Sequence, residues 1–399
     1  MVTNCVGSPV TGKDFFAREG EQAFCWECLA TDHLLLLAPR RVGKTSLMLK
    51  LQDTARDHGY DATLFSGAEA QDEAGFIVRL YETVGKLGSW SSIQQRLANG
   101  PVGRFFQSLH SVELGPFSVE FSREAEAKWE MLGERLIRVL DQQQEKSLIL
   151  VDEVPIFILS LLRLDPSGER ARRFLNWFRS IRQRSGSSGS LRWLLAGSIG
   201  LDTVAARLNL GDTINDLHIF HLGAFTREVA EDLLDELARS HELPLSSEAS
   251  ERILDRVGWT IPFYLQLVFS ELRGQQPSAR TRVTPERVDQ AFESLLRPAK
   301  KAYFDFWRQR LVEELGKPDA DFALILLNAI AVDPTGASRS TLSQCLAKPI
   351  RNTEQRRDKL RYLLDVLVND GYIVEVEGID RFGFRSPLLR EFWVRRVLP

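Results

Sequence analysis

The chain has 399 residues, more than one ordinary core organises, so two or three packed units are expected. Its 44% hydrophobic and 26% charged residues are those of a soluble globular protein, and a net charge of −3 gives no global pull toward nucleic acid or anionic membrane. Residues 1–11 carry no basic stretch followed by an apolar one, the longest apolar runs are strand-sized, and four cysteines are too few for a disulfide scaffold. A cytoplasmic protein with no membrane segment is the expectation.

The first two hundred or so residues alternate short apolar runs with amphipathic stretches, the pattern of a parallel sheet covered by helices. Strands are expected at 34–38, 62–67, 148–151, 193–197 and 219–222, each a continuous apolar run suited to burial on both faces. Residues 87–121 carry glycines, two prolines and the alternation Ser118-Val119-Glu120-Phe121, which reads as an insertion with a small hairpin before a helix over 125–142. The Gly/Ser run Ser185-Gly186-Ser187-Ser188-Gly189-Ser190 reads as a flexible loop ahead of the fourth strand.

Beyond Leu222 the pattern turns helical. Thr226 opens a helix with apolar spacing at Val229, Leu233, Leu234 and Leu237, and further helical patterns cover 247–257, 261–272 and 285–296. A linking helix over 299–315 stops at Gly316 and Pro318. Helices are then expected at 322–332, 339–346 and 353–370, and strands at 372–376 and 381–384, the order of a winged helix-turn-helix. The expected division is therefore 1–222, a core carrying the 87–121 insertion; 223–297, a helical unit; 298–317, a linker; and 318–399, a winged helix.

Holding a nucleoside triphosphate takes many N–H donors in a tight loop, a positive charge, and a hydroxyl for Mg²⁺. The first strand runs into Ala38-Pro39-Arg40-Arg41-Val42-Gly43-Lys44-Thr45-Ser46, followed by a helix from Leu47. Backbone donors at that helix start suit phosphate, Lys44 supplies the charge at the β/γ-phosphates, and Thr45 the Mg²⁺ hydroxyl. Ala38 stands where the loop motif usually begins with glycine, which requires it to keep a negative φ. The third strand ends in Asp152-Glu153. There Asp152 is suited to orient Mg²⁺ and Glu153 to polarise an attacking water as general base. The fourth ends in Gly197-Ser198, and Ser198 is a candidate γ-phosphate sensor or a cap of the next helix.

These motifs, in this order, resemble the AAA+-related ATPases of the archaeal and bacterial STAND and origin-recognition-like group. Phe15-Phe16-Ala17-Arg18-Glu19-Gly20-Glu21 resembles the family's element before the first strand, with Ala17 where glycine is usual. The Lys44 loop resembles the family's Walker A, Asp152-Glu153 its Walker B, Gly197-Ser198 its sensor strand, and Gly258-Trp259-Thr260-Ile261-Pro262-Phe263-Tyr264 the Gly-x-Pro element of its helical lid. The resemblance implies an α/β P-loop NTPase fold with sheet order 5-1-4-3-2, a helical lid and a C-terminal winged helix. It also implies ATP or ADP with Mg²⁺ as ligands, Arg40, Arg41, Val42, Gly43, Lys44, Thr45 and Ser46 around the phosphates, and Phe16, Arg18 and Pro262 around the adenine. Among Arg179, Arg182 and Arg207 none stands out as an arginine finger.

Cys25-Trp26-Glu27-Cys28 has redox or metal spacing but no second pair, and reads as a packed helix face. Arg351, Arg356, Arg357, Lys359 and Arg361 cluster on and just before the third helix of the terminal unit, where a winged helix enters a major groove. Two outputs stay open for a slow regulatory ATPase with no second catalytic motif. One is a signalling or defence switch that binds a partner protein and self-assembles with ATP. The other is a regulator of double-stranded DNA, acting through that basic helix.

Overall fold

Runs of Leu, Ile and Val too short for helices form one parallel sheet in the computed structural model, which describes residues 1–97, 119–197, 210–275, 282–376 and 378–398. Two compact units divide the chain. A sheet unit holds Arg18–Ala38 and Lys44–Leu222; a helical unit holds Met1–Ala17, Pro39–Gly43 and Gly223–Pro399.

In chain order the sheet unit runs α1 (Glu19–Thr31), β1 (His33–Leu37), α2 (Lys44–Thr54), β2 (Tyr60–Ser66), α3 (Glu73–Val84), α4 (Trp90–Leu97), α5 (Val119–Asp141), β3 (Lys146–Asp152), α6 (Val154–Leu164), α7 (Glu169–Ser188), β4 (Leu191–Gly197) and β5 (Leu217–His221). The sheet order is β2-β3-β4-β1-β5, the implied order read from the other edge, and every pairing is parallel. β1 and β4 are buried at every position, as strands covered on both faces must be. A cluster of rings fills one side: Phe76 lies 5.0 Å from Phe157 and from Phe174, and Phe178 lies 5.0 Å from Trp193. Gly133 of α5 is required there, because a Cβ at that position would come within 2.4 Å of the Trp177 ring.

Two local expectations need correcting. Val119, Glu120 and Phe121 open α5 rather than a hairpin strand, and residues 90–97 of the expected insertion are the helix α4; residues 98–118 lie outside the described residues. The Gly/Ser run is not a loop before Ser188, for α7 continues through it and stops at Gly189, whose φ of +71° is the left-handed turn that ends helices. The apolar face of Phe174, Phe178 and Ile181 carries the helix past weak formers, and the Ser185 hydroxyl is satisfied by donating to the Ile181 carbonyl at 3.1 Å. Tertiary burial outweighs propensity here.

His33, at the start of β1, is buried in a fixed tautomer. Its Nε2–H donates to the Arg182 carbonyl at 2.8 Å, and its Nδ1 accepts from the Trp193 N–H at 3.2 Å. Burial, with Arg182 and Arg192 nearby, drives its pKa down from 6.5 to about 4. Above about pH 6.5 both folded and unfolded states hold the ring neutral and the network contributes in full. As pH falls toward 4 only the unfolded chain takes up the proton, and folded stability should drop by about 3 kcal/mol. Urea unfolding at a series of pH values checks this: His33→Phe should lose that part of the slope, and an unchanged slope would refute it.

The helical unit runs α8 (Arg227–Ser240), α9 (Ser247–Val257), α10 (Pro262–Gly274), α11 (Pro285–Leu295), α12 (Ala302–Leu315), α13 (Asp319–Val332), β6 (Ala337–Ser338), α14 (Arg339–Cys345), α15 (Thr353–Asn369), β7 (Ile373–Glu375), β8 (Arg381–Phe384) and α16 (Pro387–Arg396). Side-chain caps start several of these helices: Thr226 accepts from Val229 N, Ser246 from Ala249 N, and Asn352 from Gln355 N. From α13 to β8 the order is that of a winged helix, with the antiparallel sheet β6-β8-β7. β6 and α16 were not expected from sequence: the first is two residues long, and the second begins at a proline in its first turn. α16 ties the winged helix to α9 and α11. Ser386 Oγ donates to Val257 O at 2.8 Å, Arg256 pairs with Glu391 at 3.0 Å, and Arg395 with Glu293 at 2.7 Å.

Candidate functional site

β1 and β3 lie on either side of β4, so their C-terminal ends bracket the same edge of the sheet. After β1 the chain turns through Pro39–Gly43 and enters α2 at Lys44, with no acidic residue in the first turn of that helix. Ala38, in place of the usual glycine, is not among the residues with positive φ, and its N–H donates to Gly197 O at 3.4 Å. Strand geometry thus tolerates its methyl group. The loop's left-handed positions fall instead at Arg41 (φ +66°) and Gly43 (φ +104°), and a Cβ on Gly43 would meet nothing within 4 Å. Such alternation turns successive N–H groups toward one side, the geometry of an anion-binding nest.

Four expected residues converge within the sheet unit. The Lys44 ammonium pairs with Asp152 Oδ1 and lies 3.3 Å from Glu153 Oε1. The Thr45 hydroxyl donates to Asp152 Oδ2 at 2.7 Å, and the Glu153 N–H to Asp152 Oδ1 at 2.8 Å. Burial alone would raise the Asp152 pKa. The Lys44 charge and hydrogen bond, with the Thr45 and Glu153 donors, outweigh it and hold the carboxyl below its ordinary range. Glu153 sits in the left-handed region (φ +53°), a strained conformation for a non-glycine residue, at the N-terminus of α6.

The remaining residues are placed as follows. Val42 and Ser46 are buried. Ser198 and Arg207 lie outside the described residues; Ser198 directly follows the end of β4. Arg18 opens α1 in the sheet unit, buried, with its guanidinium 2.7 Å from Glu21. Phe16 and Pro262 belong to the helical unit, where the Phe16 ring meets Phe225 edge-on at 6.5 Å and Pro262 begins α10 after Ile261. The Arg41 side chain lies against Phe263, part of the lid element, and Phe306, which the sequence did not single out. Arg182 is bidentate to Asp216 and buried, and Arg179 pairs with Asp212, so both are committed to their own unit. Cys25 and Cys28 are buried in α1 with their thiol pKa values raised by burial, and among the described residues no group of side chains is arranged to hold a metal by itself.

The donor set fits a nucleotide with Mg²⁺: an open loop with left-handed turns, a helix start free of acidic side chains, an ammonium, and a hydroxyl–carboxylate pair. Within the sheet unit, Thr45 and Asp152 are the residues that would hold the ion, and Lys44 the one that would meet phosphate.

No protein-family model matches the sequence, and no curated protein does. Solved structures do resemble it along its whole length. The Walker-type ATPase PABY2304 of Pyrococcus abyssi is 19% identical at a TM-score of 0.60, covering 97% of this chain and 98% of that one. Weaker likenesses include Cdc6p from Pyrobaculum aerophilum (12%, TM-score 0.44, 97% and 98%) and the Aeropyrum pernix ORC2 protein (11%, TM-score 0.46, 96% and 95%). The likeness to the Pyrococcus ATPase and the sheet order agree, and this chain has the α/β fold of a P-loop ATPase.

Proposed function

We propose that the chain binds ATP with Mg²⁺, hydrolyses it slowly, and acts as a nucleotide-controlled switch of the STAND type. The carrying observation is the convergence of Lys44, Thr45, Asp152 and Glu153 at one edge of the sheet. Mg²⁺, when bound, supplies neutralisation of the β/γ-phosphate charge. Lys44, now shared between two carboxylates, has the reach to exchange them for phosphate oxygens. That exchange frees Glu153 to accept a proton from water. Asp152, held ionised by its donors, keeps Thr45 oriented. Phe16, Arg18 and Pro262 are proposed to flank the adenine, and Ser198 to sense the γ-phosphate. All four cysteines are free thiols, which favours a reducing cytoplasm; among the described residues no helix is long and apolar enough to cross a membrane.

For the output, a partner protein is favoured over DNA. From Arg351 to Asp365, Arg351, Arg357 and Arg361 are exposed, but so are Glu354, Asp358 and Asp365, so the exposed charges over that stretch cancel. Lys359 is tied to Asp319 at 2.7 Å, and Arg356 donates to the Ile350 carbonyl at 3.2 Å. A helix that tracks phosphates needs an excess of cations there. Titration of a labelled duplex at about 50 and about 200 mM salt tests this. No affinity difference is expected between wild type and an Arg351/Arg357/Arg361→Ala variant. Tight binding that falls steeply with salt and is lost in that variant would establish the DNA reading instead. Light scattering with ATP and with ADP checks whether the switch includes self-assembly.

A further inference from the structure

Within the helical unit the phosphate loop is gripped by aromatic rings. The Arg41 guanidinium carbon lies 4.0 Å from the centre of the Phe263 ring and 4.3 Å from that of Phe306. The two rings stand at 84° to each other, 6.2 Å apart, so the guanidinium occupies a corner between α10 and α12. Gly7 of the N-terminal segment closes a third side, since a Cβ there would come 2.8 Å from Arg41 Nη1. Pro39, at the start of the same loop, packs beside Gly371, where a Cβ would lie 3.0 Å from Pro39 Cβ and 2.5 Å from Trp259.

This corner has a physical connection to the winged helix. α12 carries Phe306 beside Trp307, whose carbonyl accepts the Tyr372 hydroxyl at 2.7 Å and whose ring lies 4.8 Å from that of Tyr372. Tyr372 and Gly371 form the turn that joins α15 to β7. Meanwhile Arg41 holds a left-handed backbone (φ +66°) that a non-glycine residue keeps only when its surroundings impose it. The half-buried guanidinium, whose pKa burial lowers, is the handle on which the rings pull.

We propose that Arg41 is a positioning residue, clamped by Phe263 and Phe306, through which the helical unit sets the shape of the phosphate loop and thereby its affinity for nucleotide phosphates. The proposal rests on the nucleotide reading above and adds the route of regulation. With the clamp closed, Arg41 stays left-handed and the loop's N–H groups converge. With the clamp open, Arg41 relaxes to negative φ and the cradle loosens. A partner that moves α12 or the Tyr372 turn would change nucleotide affinity without touching the site.

The test uses full-length protein in four forms: wild type, Phe306→Leu, Arg41→Gly, and the double variant. Glycine holds the left-handed conformation without a clamp, so it uncouples the loop from the rings. Phe306→Leu should weaken ATP binding about tenfold in the wild-type background and leave it unchanged in the Arg41→Gly background. Amide exchange of the loop without nucleotide should rise in Phe306→Leu, and the double variant should exchange like Arg41→Gly. Equal losses of affinity in both backgrounds would reduce Phe306 to a general packing role and overturn the proposal. So would loop exchange that Phe306→Leu leaves unaltered. If wild type binds no ATP, the nucleotide reading fails, and the exchange data alone decide whether the clamp holds the loop.

Discussion

Glu153→Gln is expected to lower ATP turnover by about a hundredfold to ten-thousandfold while ATP binding stays close to that of wild type. The amide keeps the shape of the side chain at the end of β3 but no longer takes a proton from water. Its backbone role is untouched: the N–H still donates to Asp152 Oδ1, and the left-handed turn into α6 remains. One effect runs the other way, because Lys44 loses a partner at 3.3 Å and has one carboxylate fewer to leave when phosphate arrives. Nucleotide affinity should therefore hold or rise slightly. Single-turnover measurements with saturating ATP separate the two effects. Normal turnover in the variant would remove Glu153 as the base and move attention to groups near the end of β4.

Lys44→Ala carries the second large effect, and it has two parts. ATP binding should fall below detection, since the charge at the β/γ-phosphates is lost. The nucleotide-free protein should also lose stability, on the order of 3 kcal/mol, because Asp152 is buried and would keep only neutral donors. Its carboxyl, now held below the ordinary range by Lys44 among others, would shift upward. Adding Asp152→Asn to Lys44→Ala removes the stranded charge and should recover much of the stability without recovering ATP binding. Urea unfolding of the two variants checks the first claim. Equal stability of the single and double variants would mean that the buried pair contributes little.

The cluster proposed as the phosphate site was legible because its parts are local. A continuous apolar strand, a turn and a helix start bring Lys44 and Thr45 together within one stretch of sequence, and the apolar run ending in Asp152-Glu153 marks a second strand of the same sheet. The sheet order followed from resemblance, and the contacts confirm it. What failed depends on burial that no short window shows. Val119, Glu120 and Phe121 alternate like a strand but begin a helix, and the Gly/Ser run extends α7 because the ring-packed face behind it continues. The clamp was invisible for a different reason: Arg41 reads as a phosphate ligand, while far downstream Phe263 reads only as part of the lid element and Phe306 as ordinary core. The basic helix was legible in its cations alone. Asp319, which binds Lys359, lies 40 residues upstream, at the start of α13.

ATP titration by calorimetry, with Mg²⁺, on wild type and Lys44→Ala tests the central claim most directly. Wild type should bind one equivalent of ATP, and Lys44→Ala should give no measurable heat of binding while circular dichroism shows it still folded. Failure of wild type to bind ATP, or equal affinity in the two proteins, would contradict the assignment of this cluster as a nucleotide site.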